Sequence, residues 1–153
     1  MLPETTLNLR RSYAASPELV FRAFAEAQLL ERWLCPDPSV SLKVESLDFR
    51  VGGAYRLVFT FPDAVRPVIG KYLLIDPPNS LRFTWIWQQP DEFAGLETVV
   101  SVSIRSVDDG CELELTHERF PNGKLKEQHE SGWNAALARL EMLLKGAMTD
   151  GND

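Results

Sequence analysis

Seven stretches of this chain alternate apolar and polar residues with a period of two, and one long stretch near the end switches to a period of about 3.6. The first alternating stretch runs from Thr5 to Tyr13, with Leu7 and Leu9 on one face. The next spans Ser41 to Phe49 and is closed off by Gly52-Gly53. Tyr55, Leu57, Phe59 and Phe61 then share a face, with Arg56 and Thr60 opposite. Pro62 and Pro67 bracket an expected loop ahead of a strand over Val68 to Ile75. Pro77-Pro78-Asn79-Ser80 turns the chain into Leu81 to Trp87, where Leu81, Phe83, Trp85 and Trp87 share a face. Thr98, Val100, Val102 and Ile104 alternate with Ser101, Ser103 and Arg105. Asp108-Asp109-Gly110 is a hairpin signal, beyond which Cys111, Leu113, Leu115 and His117 alternate with Glu112, Glu114, Thr116 and Glu118. One face is apolar and the other polar throughout, which predicts an antiparallel sheet with one wet side.

Helix signals sit at the two ends of this strand series. Ser16-Pro17-Glu18 starts a short helix: the serine can cap free N–H groups, the proline suits the first helical position and the glutamate complements the dipole. Leu19, Val20, Ala23 and Phe24 give it an apolar face. Leu29, Leu30 and Trp33 mark a second short helix, which the Cys35-Pro36-Asp37-Pro38 run stops. From Lys124 to about Ala147, Leu125, His129, Gly132, Trp133, Ala136, Leu140, Leu143, Leu144 and Ala147 form one stripe, with Glu127, Glu130, Asn134, Glu141 and Lys145 opposite. Such a helix is roughly 35 Å long, enough to cross a curved sheet. The expected organisation is a single α+β domain over 1–148, with a frayed tail at 149–153.

Composition narrows the function classes. Hydrophobic residues at 44% and charged residues at 25% exclude wholesale disorder. A net charge of −6 offers no basic field for nucleic acid. No apolar stretch approaches the roughly 18 residues of a membrane span and the N-terminus has no apolar signal segment, so neither insertion nor export is expected. Two cysteines, Cys35 and Cys111, are too few for a disulfide framework. The expected compartment is the cytoplasm, and the expected state a monomer or homodimer.

Several local patterns recur in a fixed order: Ser16-Pro17-Glu18-Leu19-Val20-Phe21 with Leu29 to Trp33; Phe49-Arg50-Val51-Gly52-Gly53-Ala54-Tyr55; Gly70-Lys71-Tyr72 through Asp76-Pro77-Pro78 to Leu81-Arg82-Phe83-Thr84-Trp85; His117-Glu118; and Gly132-Trp133 followed by Leu137 and Leu140. Over nearly its whole length the chain resembles the family named after the activator of heat-shock-protein-90 ATPase, which includes polyketide-cyclase-like proteins, within the START and birch-pollen-allergen (Bet v 1-like, SRPBCC) superfamily. The resemblance implies a helix-grip fold, a curved antiparallel sheet wrapped around the C-terminal helix with a hydrophobic cavity between them. Its name also implies a stress-response setting. It implies no single activity, because the superfamily includes carriers, receptors, cyclases, hydrolases and co-chaperones.

The candidate ligand-contacting residues are Trp33, Tyr55, Phe59, Phe61, Phe83, Trp85, Trp87, Val100, His117, His129, Trp133 and Leu137. Large aromatics on inward faces either fill a core or line a pocket, and the sequence leaves open which of these do which. His129 lies one turn before Trp133 on the inward stripe and His117 keeps the inward phase of its strand, so either could move a proton near neutral pH or be a hydrogen-bonded core histidine. Tyr55 is a further candidate hydrogen-bond donor. A metal site is not expected, because each histidine has its glutamate adjacent and therefore facing away. No G-x-S-x-G elbow, P-loop or G-x-G-x-x-G motif occurs, so no nucleophilic serine and no nucleotide cofactor is expected.

Three readings follow. The first is a protein that binds an apolar or amphipathic small molecule, lipid- or polyketide-like, with His129 as its polar contact. The second is a cyclase- or hydrolase-type enzyme using the same cavity, with His129 or His117 as acid and base. The third is a co-chaperone-like partner-binding module. The polar segment Gln88 to Leu96, with Phe93 at its tip, and the loop from Phe61 to Pro67 are either a lid over the cavity mouth or ordinary hairpin loops.

Overall fold

The computed structural model describes residues 5–35, 37–88 and 94–150, the last four by backbone only. The chain runs as β1 (Leu7–Tyr13), α1 (Pro17–Ala25), α2 (Ala27–Trp33), β2 (Ser41–Leu47), β3 (Ala54–Thr60), β4 (Val65–Asp76), β5 (Ser80–Trp87), β6 (Thr98–Val107), β7 (Gly110–Glu118) and α3 (Gly123–Asp150). All strands join one antiparallel sheet in the order β1-β7-β6-β5-β4-β3-β2. β2 to β7 form a continuous meander, and β1 returns to pair with β7 from Leu7 opposite His117 to Tyr13 opposite Cys111. This is the helix-grip architecture that the resemblance implies.

Local chemistry accounts for the boundaries. The Ser16 hydroxyl accepts a hydrogen bond from the Leu19 N–H at 3.2 Å, and Pro17 opens α1. Glu26 is extended, which separates α1 from α2. Bulges between Val44 and Ser46 in β2 and between Tyr72 and Leu74 in β4 bend the sheet, because an extra residue on one strand increases its local twist. The second bulge breaks the inward-outward alternation and leaves Leu73 and Leu74 both exposed.

Three boundaries differ from the sequence expectation. β2 stops at Leu47, and Phe49 packs edge-on against Phe21 and Tyr72 outside any strand. β4 begins at Val65, so Pro67 lies within a strand, opposite Val58, where the expected loop would have placed it outside. Proline is tolerated near a strand's start, where a missing N–H breaks little of the ladder, and its carbonyl still accepts from the Gln88 N–H at 2.9 Å. Helix α3 extends to Asp150, into the segment expected to fray, and residues 151–153 lie outside the described residues.

Residues from the sheet's inner face meet α1, α2 and α3 in one core. Trp33 is fully buried, donates its indole N–H to the Ala23 carbonyl at 2.9 Å and packs edge-on against Phe24. Leu137 and Leu140 of α3 are likewise fully buried, and the Tyr13 hydroxyl donates to the Leu137 carbonyl, tying β1 to the helix. Among the described residues no helix is long and apolar enough to cross a membrane. Leu140, at 0% exposed, and Met142, at 69%, lie two residues apart on α3. Leu140→Ala should therefore cost about 2–5 kcal/mol in urea unfolding, and Met142→Ala less than about 0.5 kcal/mol; equal costs would place α3 in a different rotation.

Candidate functional site

Where α3 passes the β3–β5 end of the sheet, a cavity of about 630 Å³ opens between them. Strand period sets one wall: Trp85 and Trp87, two residues apart, lie on the same face of β5, and β3 adds Phe59 with Phe61 just beyond its end. Helix period sets the other: His129, Gly132, Trp133 and Ala136 recur at three- and four-residue spacing. Leu34, Cys35 and Asp37 close the side nearest α2. The rings form a continuous layer, with Trp85 centred 5.7 Å from Trp133, 5.8 Å from Trp87 and 6.1 Å from Phe59.

The cavity is graded in polarity. Leu34, Cys35, Phe59, Trp85, Trp133 and Ala136 are buried, whereas Asp37, Gln128 and Ser131 are exposed at the mouth. Arg66 is half-buried there and lies 5.1 Å above the Phe61 ring, within cation–π range.

Behind the aromatic layer is a buried chain of hydrogen bonds whose directions are fixed by its ends. An indole N–H can only donate, so His117 Nδ1, 3.0 Å from Trp133 Nε1, must accept. The His117 proton is therefore on Nε2 and is donated to Thr98 Oγ1 at 2.7 Å, and the threonine hydroxyl donates in turn to the Trp85 carbonyl at 2.6 Å. His129 Nε2 likewise accepts from Trp87 Nε1 at 2.8 Å, which places its proton on Nδ1, donated to the Leu125 carbonyl at 2.9 Å. Phe120 lies against both imidazoles, at 4.4 and 4.7 Å, and the two imidazoles meet edge to face at 5.3 Å. The backbone enters this position through Arg119, a non-glycine residue with φ of +75°.

Both histidines are held neutral. Burial disfavours the charged form, so it pushes His117 well below its ordinary value of 6.5, with the neighbouring His129 adding to the effect. Burial lowers His129 as well, against a smaller opposing effect of its bond to the Leu125 carbonyl. Protonating either ring nitrogen that accepts from an indole would set two donors against each other.

The structure divides the candidate residues evenly. Phe59, Phe61, Trp85, Trp87, His129 and Trp133 line the cavity. Trp33, Tyr55, Phe83, Val100, His117 and Leu137 do not; they are buried in the core or in the layer behind the wall. The Tyr55 hydroxyl is engaged with the Thr84 carbonyl, and its ring passes so close to Gly70 that a Cβ there would meet ring carbons at 2.6 Å. Leu34, Asp37, Arg66, Gln128 and Ser131 line the cavity and were not among the candidates. The available signal was the pair Gly132 and Ala136 on the inward stripe, small residues facing large rings. Of the expected lid, residues 89–93, including Phe93, lie outside the described residues, and the facing loop shortens to residues 61–64 because β4 starts early. Among the described residues no three His, Cys, Asp or Glu side chains gather as metal ligands would.

The sequence model of the family described as Activator of Hsp90 ATPase homolog 1-like protein matches residues 14–145. No curated protein matches the chain. The fold is similar to the crystal structure of a Chromobacterium violaceum protein, with a TM-score of 0.82, 28% identity, and coverage of 91% of this chain and 96% of that one. It is also similar to the AHSA1 protein of Silicibacter pomeroyi, with a TM-score of 0.80, 28% identity, and coverage of 92% and 97%. A Nitrosomonas europaea protein with a TM-score of 0.79 and 23% identity, covering 95% and 97%, shares the fold.

The neutral histidines generate a pH dependence with a definite sign. Their folded pKa values lie below the unfolded value of about 6.5, so the unfolded chain binds more protons below that pH. Their contribution to stability is complete above about pH 6.5 and is lost as pH falls toward the folded values. Urea unfolding between pH 7.5 and 5.5 should lose up to about 1.4 kcal/mol per pH unit for each imidazole, and His129→Phe should reduce that slope. A flat profile across this range would mean the histidines are not buried neutral.

Proposed function

Because the chain belongs to the Activator of Hsp90 ATPase homolog 1-like family, whose helix-grip fold is of a ligand-binding kind, we propose that it binds an apolar or amphipathic small molecule in the cavity between β3–β5 and α3. The observation that carries this reading is the cavity of about 630 Å³, aromatic on its buried side and polar at its mouth. Its volume falls within the roughly 300–1,000 Å³ of small-molecule sites, and such sites combine an apolar lining with a few polar groups. The flat rings of Phe59, Trp85 and Trp133 suit a planar or branched apolar body, and Arg66 suits a polar or anionic head at the opening. The hydrogen bonds on all four imidazole nitrogens weigh against proton transfer by His117 or His129, and so against the enzymatic reading. Cys35 and Cys111 are both free and buried, which suits a reducing compartment such as the cytoplasm.

Gly132 provides the test. It lines the cavity, and a Cβ built on it meets nothing within 4 Å, so a larger side chain there enters the open space. The fluorescent probe 8-anilinonaphthalene-1-sulfonate, with an apolar body and an anionic head, should bind the folded wild type at one saturable site. Gly132→Leu should weaken that binding at least about tenfold and leave the unfolding midpoint unchanged or raised, since leucine favours helix over glycine by about 1 kcal/mol. Equal affinity in the two proteins would place the probe outside the cavity and overturn the proposal. Native mass spectrometry of the freshly purified wild type should show a co-purifying small molecule that Gly132→Leu lacks.

A further inference from the structure

Two charged side chains among the described residues line the cavity, Asp37 and Arg66. Asp37 stands on the side nearest α2, where its carboxylate accepts from the Ser39 N–H at 2.7 Å and from the Ser39 hydroxyl. Arg66 comes from β4, where it pairs with Phe59 of β3. Directly paired residues of antiparallel strands project from the same face, so Arg66 shares the concave side with the cavity wall. Other strand arginines are engaged: Arg10, Arg56, Arg82 and Arg105 each lie between 2.6 and 3.8 Å from a glutamate, and Arg11 bonds to the Asn134 side chain. Among the described residues Arg66 has no carboxylate within 4.0 Å. Its guanidinium carbon instead lies 5.1 Å from the centre of the Phe61 ring. That contact holds the cation in place and supplies no oxygen to its N–H donors.

The rings make a track that ends at this cation. Trp133, Trp85, Phe59 and Phe61 follow one another at centroid separations of 5.7, 6.1 and 6.5 Å, and Phe61 is the ring beneath Arg66. The two imidazoles beside the track offer no charge, since both are neutral and all four of their nitrogens are engaged. An anionic head placed among the rings would lose its water without gaining a partner, whereas at the half-buried Arg66 it meets a cation. We infer that the cavity takes a monocarboxylic acid, its apolar body laid along the rings toward Trp133 and its carboxylate paired with the Arg66 guanidinium. A planar guanidinium presents parallel N–H donors that match the two oxygens of a carboxylate. A head of higher negative charge is disfavoured by Asp37 at the same opening and by the net charge of −6. The inference rests on the cavity being a ligand site, and it narrows the ligand from amphipathic molecules at large to organic acids.

Two probes of one shape test it by titration calorimetry at about pH 7.5, where the acid is ionised: 2-naphthylacetic acid and the neutral 2-naphthylacetamide. The acid should bind the wild type about tenfold more tightly than the amide, the gain expected of one partly desolvated, charge-assisted pair. Arg66→Gln should remove that preference and leave the affinity for the amide unchanged. Arg66→Lys, which keeps the charge and loses the fork, should restore part of it. In ¹⁵N–¹H spectra the Arg66 Nε–H signal, identified by its loss in Arg66→Gln, should move with the acid and not with the amide. Equal affinities of acid and amide for the wild type, or a preference that survives in Arg66→Gln, overturns the pairing; the cavity reading still stands if Gly132→Leu weakens the binding of both probes. If Gly132→Leu weakens neither, or neither binds the wild type, the cavity reading fails and the pairing fails with it.

Discussion

A single helix has to close the concave face of a sheet about three times its width. Seven strands at the usual spacing span roughly 29 Å, whereas a helix with its side chains is about 10–12 Å across. No choice of side chains on α3 alone can cover that surface. The chain adds α1 and α2, whose Val20, Phe24, Leu30 and Trp33 join Leu137 and Leu140 in a dry core. Next to α2, toward β3 and β5, large aromatic side chains line the sheet and still leave space. The cavity is the remainder of this geometric mismatch.

The position of the cavity follows from where α3 is narrow. Along the face that looks at the sheet, Gly132, Ala135 and Ala136 sit among the lining residues, whereas Leu137, Leu140 and Leu144 further along are buried in the core. Small residues opposite indoles keep the space open, and leucines opposite aliphatic strand residues such as Leu113 and Leu115 fill it. A polar layer inside this aromatic region would ordinarily be costly. It is tolerated because donors and acceptors are matched in sequence: indole to imidazole, imidazole to hydroxyl or carbonyl, hydroxyl to carbonyl. The matching requires both imidazoles to be neutral, and burial pushes both the same way, at His129 against the smaller opposing effect of its bond to the Leu125 carbonyl.

The two histidines therefore act less as chemistry than as acceptors that orient Trp87 and Trp133. With those indoles held, the cavity wall has rings fixed at two positions.

Much of this was legible before any coordinates. The period-two runs placed every strand, the Ser16-Pro17 cap placed α1, and the long 3.6-period stripe placed α3 with the correct inward residues, because alternation and helical spacing are local properties of the chain. Inward phase also identified each aromatic that lines the cavity. What phase could not do was separate Phe59, Trp85 and Trp133 from Tyr55, Phe83 and Trp33, since all six point inward and differ only in what lies opposite. Arg66 and Asp37 escaped for the same reason: one stands beside an early strand start, the other in a connecting loop, and only the folded chain brings them to one opening. The hydrogen bonds that join His117 to Trp133 and His129 to Trp87 link residues 16 and 42 positions apart. The sequence by itself determined which side chains face the interior; which of them meet, and where they fail to meet and leave a cavity, was decided by tertiary structure, because filling a volume depends on distances between elements that no local pattern contains.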